Sequence, residues 1–291
     1  MDVVIAYVDG NDPQWQKVYA AVTNQPILKK RFRDWGTLKY LLRGIETYMP
    51  FIRNVYLVVS GPTQVPSWAS ESLKPVFHKD ILPPELVPTF NASTIEMGIH
   101  RIKGIDEQFL YFNDDMYPVA ECRPDDFFVD GKGAMKFSRF VFGNGLYKML
   151  SKNASSMARK YLGLKPSRIY IRPQHICSPM LKSACDELYS KAEDEIISIS
   201  TPLREDFNVN QYLYLDYMYY SGRAISRRLS NTHISLAIAP LSKVRRCIMT
   251  PRTKLVCIND VSMSEKKFQT YQSGILDAFE NRLPNKSRFE K

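Results

Sequence analysis

Three apolar runs in this chain end in carboxylates. Phe109-Leu-Tyr-Phe112 leads straight into Asn113-Asp114-Asp115, Asp2-Val-Val-Ile-Ala-Tyr-Val8 into Asp9-Gly10-Asn-Asp12, and Lys254-Leu-Val-Cys-Ile258 into Asn259-Asp260. Continuous hydrophobicity of this length reads as a strand buried on both faces. In open α/β sheets, ligands sit at the carboxyl edge of parallel strands. Carboxylates gathered there are costly unless a cation joins them. The expected guest is Mg²⁺ (or Mn²⁺) carrying a nucleotide diphosphate, with Asp114, Asp115, Asn259 and Asp260 as metal-side groups. The competing explanation is a strand followed by a solvated acidic turn.

A second set of residues could move protons or neutralise phosphate. Glu96 and His100 stand four apart, with Arg101 beside them, in a helix-like stretch before the Phe109 strand. At that spacing two side chains share a helix face, so the trio could hold a phosphate or relay a proton near the acidic strand end. Alone, such a pair is usually surface decoration. His175 lies in the proline-flanked loop Arg172-Pro-Gln-His-Ile-Cys-Ser-Pro179. Histidine is the side chain best suited to take a proton from a sugar hydroxyl near neutral pH. Arg204 follows Thr201-Pro-Leu, and its planar fork suits a phosphate. A lone loop histidine or arginine is more often structural than functional.

The elements that must position these groups follow from periodicity. Trp15 to Val22 is helix-like. Leu38, Leu41, Leu42, Ile45 and Tyr48 recur at helical spacing, and Met49-Pro50 ends that helix because a residue before proline avoids helical dihedrals. Val55 to Val59 and Val76 to Asp80 read as strands. Asn91, Ser93 or Thr94 can cap a helix through Ile102. Leu181 to Ile197 and Asn210 to Leu229 read as helices, and Ser264 onward as a charged amphipathic helix ending before Pro284. The alternation of strand and helix predicts an α/β, Rossmann-like, mostly parallel sheet with helices on both faces and a basic helical insertion. It is expected to form one catalytic domain. Residues 1–130 would be the nucleotide-sugar half, 131–240 a basic acceptor side, and 241–291 a return strand and final helix.

Bulk composition narrows the class. The chain has 291 residues, 44% hydrophobic and 24% charged, as expected of a globular protein. No apolar run approaches the roughly 20 residues of a membrane helix, and no secretory signal is expected from the opening segment. Five cysteines without Cys-x-x-Cys spacing argue for reduced structural thiols rather than disulfides or zinc. The net charge is +10, and its distribution is uneven. From Gly131 to Cys185 there is no Asp or Glu, against eleven Lys and Arg. A single-sign block attracts anions, which here means acidic lipid headgroups, a phosphate-rich polymer or nucleic acid. Leu146, Met149, Leu150, Met157, Tyr161 and Leu162 within it fall loosely on one helix face. Such a stripe fits a membrane-surface helix but is more often core.

Four blocks in order resemble the Stealth proteins, which are sugar-1-phosphate transferases. They are Ile5-Ala-Tyr-Val-Asp-Gly-Asn-Asp-Pro13; a long block from Arg31-Phe-Arg-Asp34 through Val55–Gly61 and Phe90-Asn-Ala-Ser-Thr-Ile-Glu-Met-Gly-Ile-His-Arg-Ile102 to Phe109–Tyr117; the His175 region through Arg204; and Cys257-Ile-Asn-Asp260. The ending Leu283-Pro-Asn-Lys-Ser-Arg-Phe-Glu290 is similar too. The family includes bacterial capsule and exopolysaccharide phosphotransferases and the catalytic core of the eukaryotic N-acetylglucosamine-1-phosphotransferase. The resemblance implies transfer of a sugar 1-phosphate from a nucleotide-sugar, usually a UDP-sugar, to an acceptor hydroxyl, with release of the nucleoside monophosphate. By position it implies a catalytic set of Glu96, Asp115, His175 and Arg204. Asp9, Gly10, Asp12, Arg31, Arg33, Asn91, His100, Arg101 and Asn113 are expected around the substrate. Ala6-Tyr7 and Trp35-Gly36 depart from the family pattern without touching this set. The chain is short for the family, which implies that added acceptor-recognition modules are absent.

The expected partners are a nucleotide-sugar donor, an acceptor oligosaccharide or growing phosphodiester polymer, and an anionic membrane touched peripherally from the bacterial cytoplasm. The alternative is a metal-dependent glycosyltransferase, which attacks the sugar carbon and releases the diphosphate. Nucleic acid is not expected as a partner, because interleaved aromatic and basic readout motifs are missing and the acidic strand ends would have no purpose.

Overall fold

The computed structural model describes residues 1–139 and 141–291. Its strands are β1 (Asp2–Ala6), β2 (Val55–Val59), β3 (Leu73–Phe77), β4 (Gln108–Asn113), β5 (Met116–Pro118), β6 (Phe128–Val129), β7 (Lys132–Ala134), β8 (Phe137–Arg139), β9 (Ile171–Pro173), β10 (Ser178–Leu181), β11 (Ala224–Ile225), β12 (Asn231–Ser235) and β13 (Leu255–Asn259). The class is α/β with a mostly parallel central sheet, ordered β10-β4-β1-β2-β3. β10 is an antiparallel edge strand, with Ser178 opposite Tyr111 and Leu181 opposite Gln108. Nothing in its sequence marks it as antiparallel.

The chain forms two compact units, each assembled from three segments. The first comprises Met1–Val4, Val76–Tyr111 and Pro124–Leu229. Its helix Leu146–Tyr161 buries Leu150, Ala154, Met157 and Ala158; of the expected stripe, Leu150 and Met157 are core, and Leu146, Met149, Tyr161 and Leu162 are half-buried. It packs against helix Tyr212–Tyr220, whose Tyr212 to Met218 are all buried. A helix apolar on every side belongs in a core. The expected helix to Leu229 stops at Tyr220. There the chain reverses through Gly222 at φ +76, and Arg223 N–H returns to Met218 O at 2.7 Å. Positive φ is open to glycine without a Cβ penalty, which makes Ser221-Gly222 a stop signal. Asp216 lies inside this helix with no exposed surface and, among the described residues, no hydrogen bond to either carboxyl oxygen.

The second unit comprises Ile5–Pro75, Phe112–Arg123 and Ser230–Lys291. Helix Leu38–Tyr48 buries Leu38, Leu41, Leu42 and Ile45, as its periodicity predicts. Arg43 on that helix is buried and fixes the C-terminal segment. It donates to Glu290 through Nε and Nη2 at 2.9 Å each, to Glu280 at 3.1 Å and to Leu283 O at 2.7 Å. A three-stranded sheet runs β12-β13-β5. β12 is parallel to β13, and β5 is antiparallel, with Cys257 opposite Met116. This pairing sets the acidic turn after β4 beside the acidic end of β13.

Candidate active site

In the second unit, the turn between β4 and β5 carries Asp114 and Asp115, and β13 delivers Asn259 and Asp260. Ile258 N–H donates to Asp115 O at 2.9 Å and anchors the turn. The Cys257 thiol donates to Asp115 Oδ2 at 3.4 Å. Asp115 Oδ1 is buried with no hydrogen-bond partner among the described residues, and so is Asp260 Oδ2. Arg33 Nε approaches Asp260 Oδ2 at 3.6 Å, an ion-pair distance rather than a hydrogen bond. Val261 N–H holds Asp260 Oδ1 at 2.6 Å.

These carboxylates crowd one another. Burial pushes Asp114 up to about 8, with Asp115, Asp34 and Asp260 adding repulsion. Burial pushes Asp115 to about 6, opposed by the Cys257 hydrogen bond and assisted by Asp260. Asp34 is raised by burial and by Asp9, and Asp260 by burial, with Trp35 and Arg33 pulling the other way. Asp34 was not expected here. It stands after Arg33 in Arg31-Phe-Arg-Asp, where its sign looks like surface pairing. Only the repulsion it exerts on Asp114 reveals the association. Tyr7, raised by burial and by Asp34, Asp9 and Asp114, joins the same cluster.

Asp12 and Gly10 have structural roles. Asp12 caps helix Pro13–Thr23 through Gln14 N–H at 2.9 Å and accepts from Thr63 at 2.6 Å and Gln64 at 2.8 Å. Gly10 N–H bonds Phe32 O at 2.8 Å, and a Cβ at Gly10 would come within 2.2 Å of that oxygen. The glycine lets the Asp9 turn lie against the Arg31-Phe-Arg33 segment, which brings Arg33 to Asp260.

The first unit holds a separate charged centre. Asn91 caps helix Ala92–Gly98 by accepting from Ser93 N–H at 3.0 Å. Glu96, 4% exposed, accepts from Tyr111 Oη and from Gln211 N–H, each at 3.0 Å. With its oxygen and nitrogen exchanged, the Gln211 side-chain amide also donates to both Glu96 oxygens. Burial pushes Glu96 up to about 7, while the nearby Arg204 charge pulls it down. Arg204 Nη1 donates to Tyr147 Oη at 2.9 Å, and its guanidinium lies 5.5 Å from the Tyr147 ring centre. Arg204 Nε is buried without a hydrogen-bond partner among the described residues. His175 is half-buried between β9 and β10, with Nδ1 3.3 Å from Tyr212 Oη.

Two expectations are corrected. Asn91 is buried and its amide is fully engaged: Nδ2 donates to Thr201 O at 3.1 Å, Leu203 O at 3.3 Å and Asn208 Oδ1 at 2.9 Å. It ties the Glu96 helix to the Arg204 loop. His100 does not share a face with Glu96. The helix tightens to a 3₁₀ turn at Ile99–Arg101, where each residue rotates farther than in an α-helix. His100 is carried to Asp186, with Nδ1 2.7 Å from Oδ1, and lies buried between Tyr189 and Tyr214. Arg101 is exposed over the Tyr189 ring.

Residues 31–136 match Stealth protein CR2, conserved region 2, a span that contains Arg33, Asp34, Glu96, Asp114 and Asp115. A capsular polysaccharide phosphotransferase, WcwK of Streptococcus pneumoniae, is 31% identical, covering 100% of this chain and 99% of its own. The chain belongs to the Stealth family. Other Stealth relatives include a receptor polysaccharide phosphotransferase, WefC of Streptococcus oralis, at 31% identity over 100% of this chain and 99% of that one. An exopolysaccharide phosphotransferase, cps2G of Lactiplantibacillus plantarum, is 28% identical over 100% and 96%. A crystal structure of galactosyltransferase LgtC with donor and acceptor sugar analogs aligns with 99% of this chain and 98% of that one, at 9% identity and a TM-score of 0.45. Stealth membership makes this protein a transferase of phosphorus-containing groups.

Proposed function

We propose that the protein moves a sugar 1-phosphate from a nucleotide-sugar, a UDP-hexose or UDP-N-acetylhexosamine, to a hydroxyl of an acceptor glycan in capsule or exopolysaccharide synthesis. The acceptor oxygen attacks the phosphorus that bears the sugar. A new P–O bond forms there, and the bond to the bridging oxygen breaks. The nucleoside monophosphate leaves with that electron pair, and the acceptor proton passes to the His175 imidazole.

The observation that carries this reading is the crowding of Asp114, Asp115 and Asp260, two of them with a buried oxygen that lacks a hydrogen bond. Hard oxygen ligands at raised pKa suit a divalent cation bound to a diphosphate. Asp114, Asp115, Asn259 and Asp260 would hold Mg²⁺ or Mn²⁺, which when bound offsets the diphosphate charge. Arg31, Arg33, Asp9 and Asn113 serve the donor. Arg204 neutralises charge on the phosphoryl group, and Glu96 sets its position. Phosphoryl transfer asks mainly for such positioning and charge compensation. Residues 131–240 form the acceptor side, and the reaction takes place in the bacterial cytoplasm at the inner face of the membrane.

The test is to incubate the protein with Mg²⁺, a panel of nucleotide-sugars and a glycan acceptor, then identify the nucleotide released. Monophosphate together with a phosphodiester product supports the reading. Diphosphate release overturns it in favour of glycosyl transfer.

A further inference from the structure

The acid-free block divides into a neutralised end and an open one. At the C-terminal end of helix Leu146–Tyr161, Lys160 pairs with Glu195 at 2.5 Å, and Arg159 is engaged by Lys165 O at 2.6 Å and by the Tyr220 ring. At the N-terminal end Lys148 is exposed and Lys152 partly exposed. Lys148 lies against Gly143, where an added Cβ would sit 3.1 Å from its Nζ. Lys152 donates to Asn144 Oδ1 at 3.1 Å and stands 6.0 Å from the Tyr170 ring centre. β8 pairs with β9, setting Arg139 opposite Ile171 and bringing the exposed Arg139 to the same neighbourhood.

Large apolar side chains stand among these charges. Phe142 is 74% exposed and Ile169 is 50% exposed. They flank Gly143-Asn144 and Tyr170, the contacts of Lys148 and Lys152, so apolar and basic groups share one surface of the first unit. Its chemistry matches an anionic bilayer: basic groups for the headgroups and apolar groups for the acyl boundary. A sugar-phosphate polymer would also attract the lysines, but it offers nothing to an exposed Ile169. The buried stripe of helix Leu146–Tyr161 takes no part. The surface adjoins Tyr147, the partner of Arg204.

We propose that Phe142, Ile169, Lys148, Lys152 and Arg139 form a docking surface for an anionic lipid bilayer, which holds the acceptor side against the membrane. This rests on the reading of residues 131–240 as the acceptor side.

The experiment is flotation of the full chain with phosphatidylcholine vesicles, with and without equimolar phosphatidylglycerol, at low and high salt. The protein should float with the anionic vesicles only, and less so at high salt. Lys148→Glu with Lys152→Glu should weaken binding roughly tenfold or more. Phe142→Trp should bind with a blue-shifted emission, because its ring enters the interface. Phe142→Ser should bind more weakly. Circular-dichroism spectra and melting temperatures of every variant should match the parent's, which separates docking from folding. Failure to float with anionic vesicles overturns the proposal, as does binding only to a soluble sugar-phosphate polymer. Loss of the phosphotransferase reading would appear instead as absent monophosphate release with vesicle binding intact.

Discussion

Cys257 of β13 and Asp115, in the turn just before the antiparallel strand β5, form a thiol–carboxylate hydrogen bond of 3.4 Å. Burial and the adjacent Asp115 hold the Cys257 thiol well above its usual range, so it stays protonated and can only donate. One oxygen of Asp115 is thereby fixed, and the other is the one the proposed cation would use.

Divalent metal should stabilise the fold in a pH-dependent way. Asp114 and Asp115 are raised to about 8 and about 6. The folded state therefore keeps protons that the unfolded chain releases, and stability of metal-free protein falls as pH rises from about 4 to about 8. Melting curves with and without Mg²⁺ should diverge most at the alkaline end. Asp114→Asn should raise the metal-free melting temperature there. Asp115→Asn and Asp260→Asn should each lose most turnover while remaining folded. Full activity in excess chelator would sink this idea.

Glu96 offers an independent titration. Its carboxyl rises from 4.5 to about 7, chiefly by burial. Stability carried by this site is present below pH 4.5 and declines as pH approaches 7. Glu96→Gln should flatten that part of the stability profile. An unchanged slope in the variant contradicts the assignment.

His175 and Arg204 should fail differently. A positioned base contributes about 10²–10⁴-fold to such a transfer. His175→Ala should lose turnover on that scale with nucleotide-sugar affinity little changed. Arg204→Lys keeps the charge but loses the fork that reaches Tyr147, and should remain impaired. Turnover of folded His175→Ala within a few-fold of the parent, at saturating substrates, removes His175 from the mechanism.

Asn208 should matter to both fold and activity. Its amide joins Asn91, Thr201, Ile199 O and Glu205 N–H around the Arg204 loop. Asn208→Ala leaves several buried groups unpaired and should cost about 2–4 kcal/mol, each unpaired group contributing about 1–3 kcal/mol. Turnover should fall with donor KM preserved. Chemical denaturation and steady-state kinetics on one preparation check both.

Most local structure was legible in the chain. The Leu38–Tyr48 stripe, the Asn91 cap and the three acidic strand ends read directly, because each is a pattern of neighbours. What escaped depends on residues far apart. Asp34 is an ordinary acid until its repulsion with Asp114 is counted. Asn91 has the right type for a ligand contact, and only Asn208, distant in sequence, shows it to be buried scaffold. His100 left the Glu96 face because of a change in helix pitch, which side-chain spacing alone does not encode.

The interleaving of the two units bears on how the protein emerges from the ribosome. The second unit needs Ser230–Lys291 to be complete. Its acidic cluster lacks Asp260 until late in synthesis, and Arg43 lacks both Glu280 and Glu290 until the last residues appear. The nascent chain therefore cannot assemble its acidic cluster before Ser230–Lys291 is made. Termination before Ser230 should yield no half-active enzyme, because the second unit would lack its third segment.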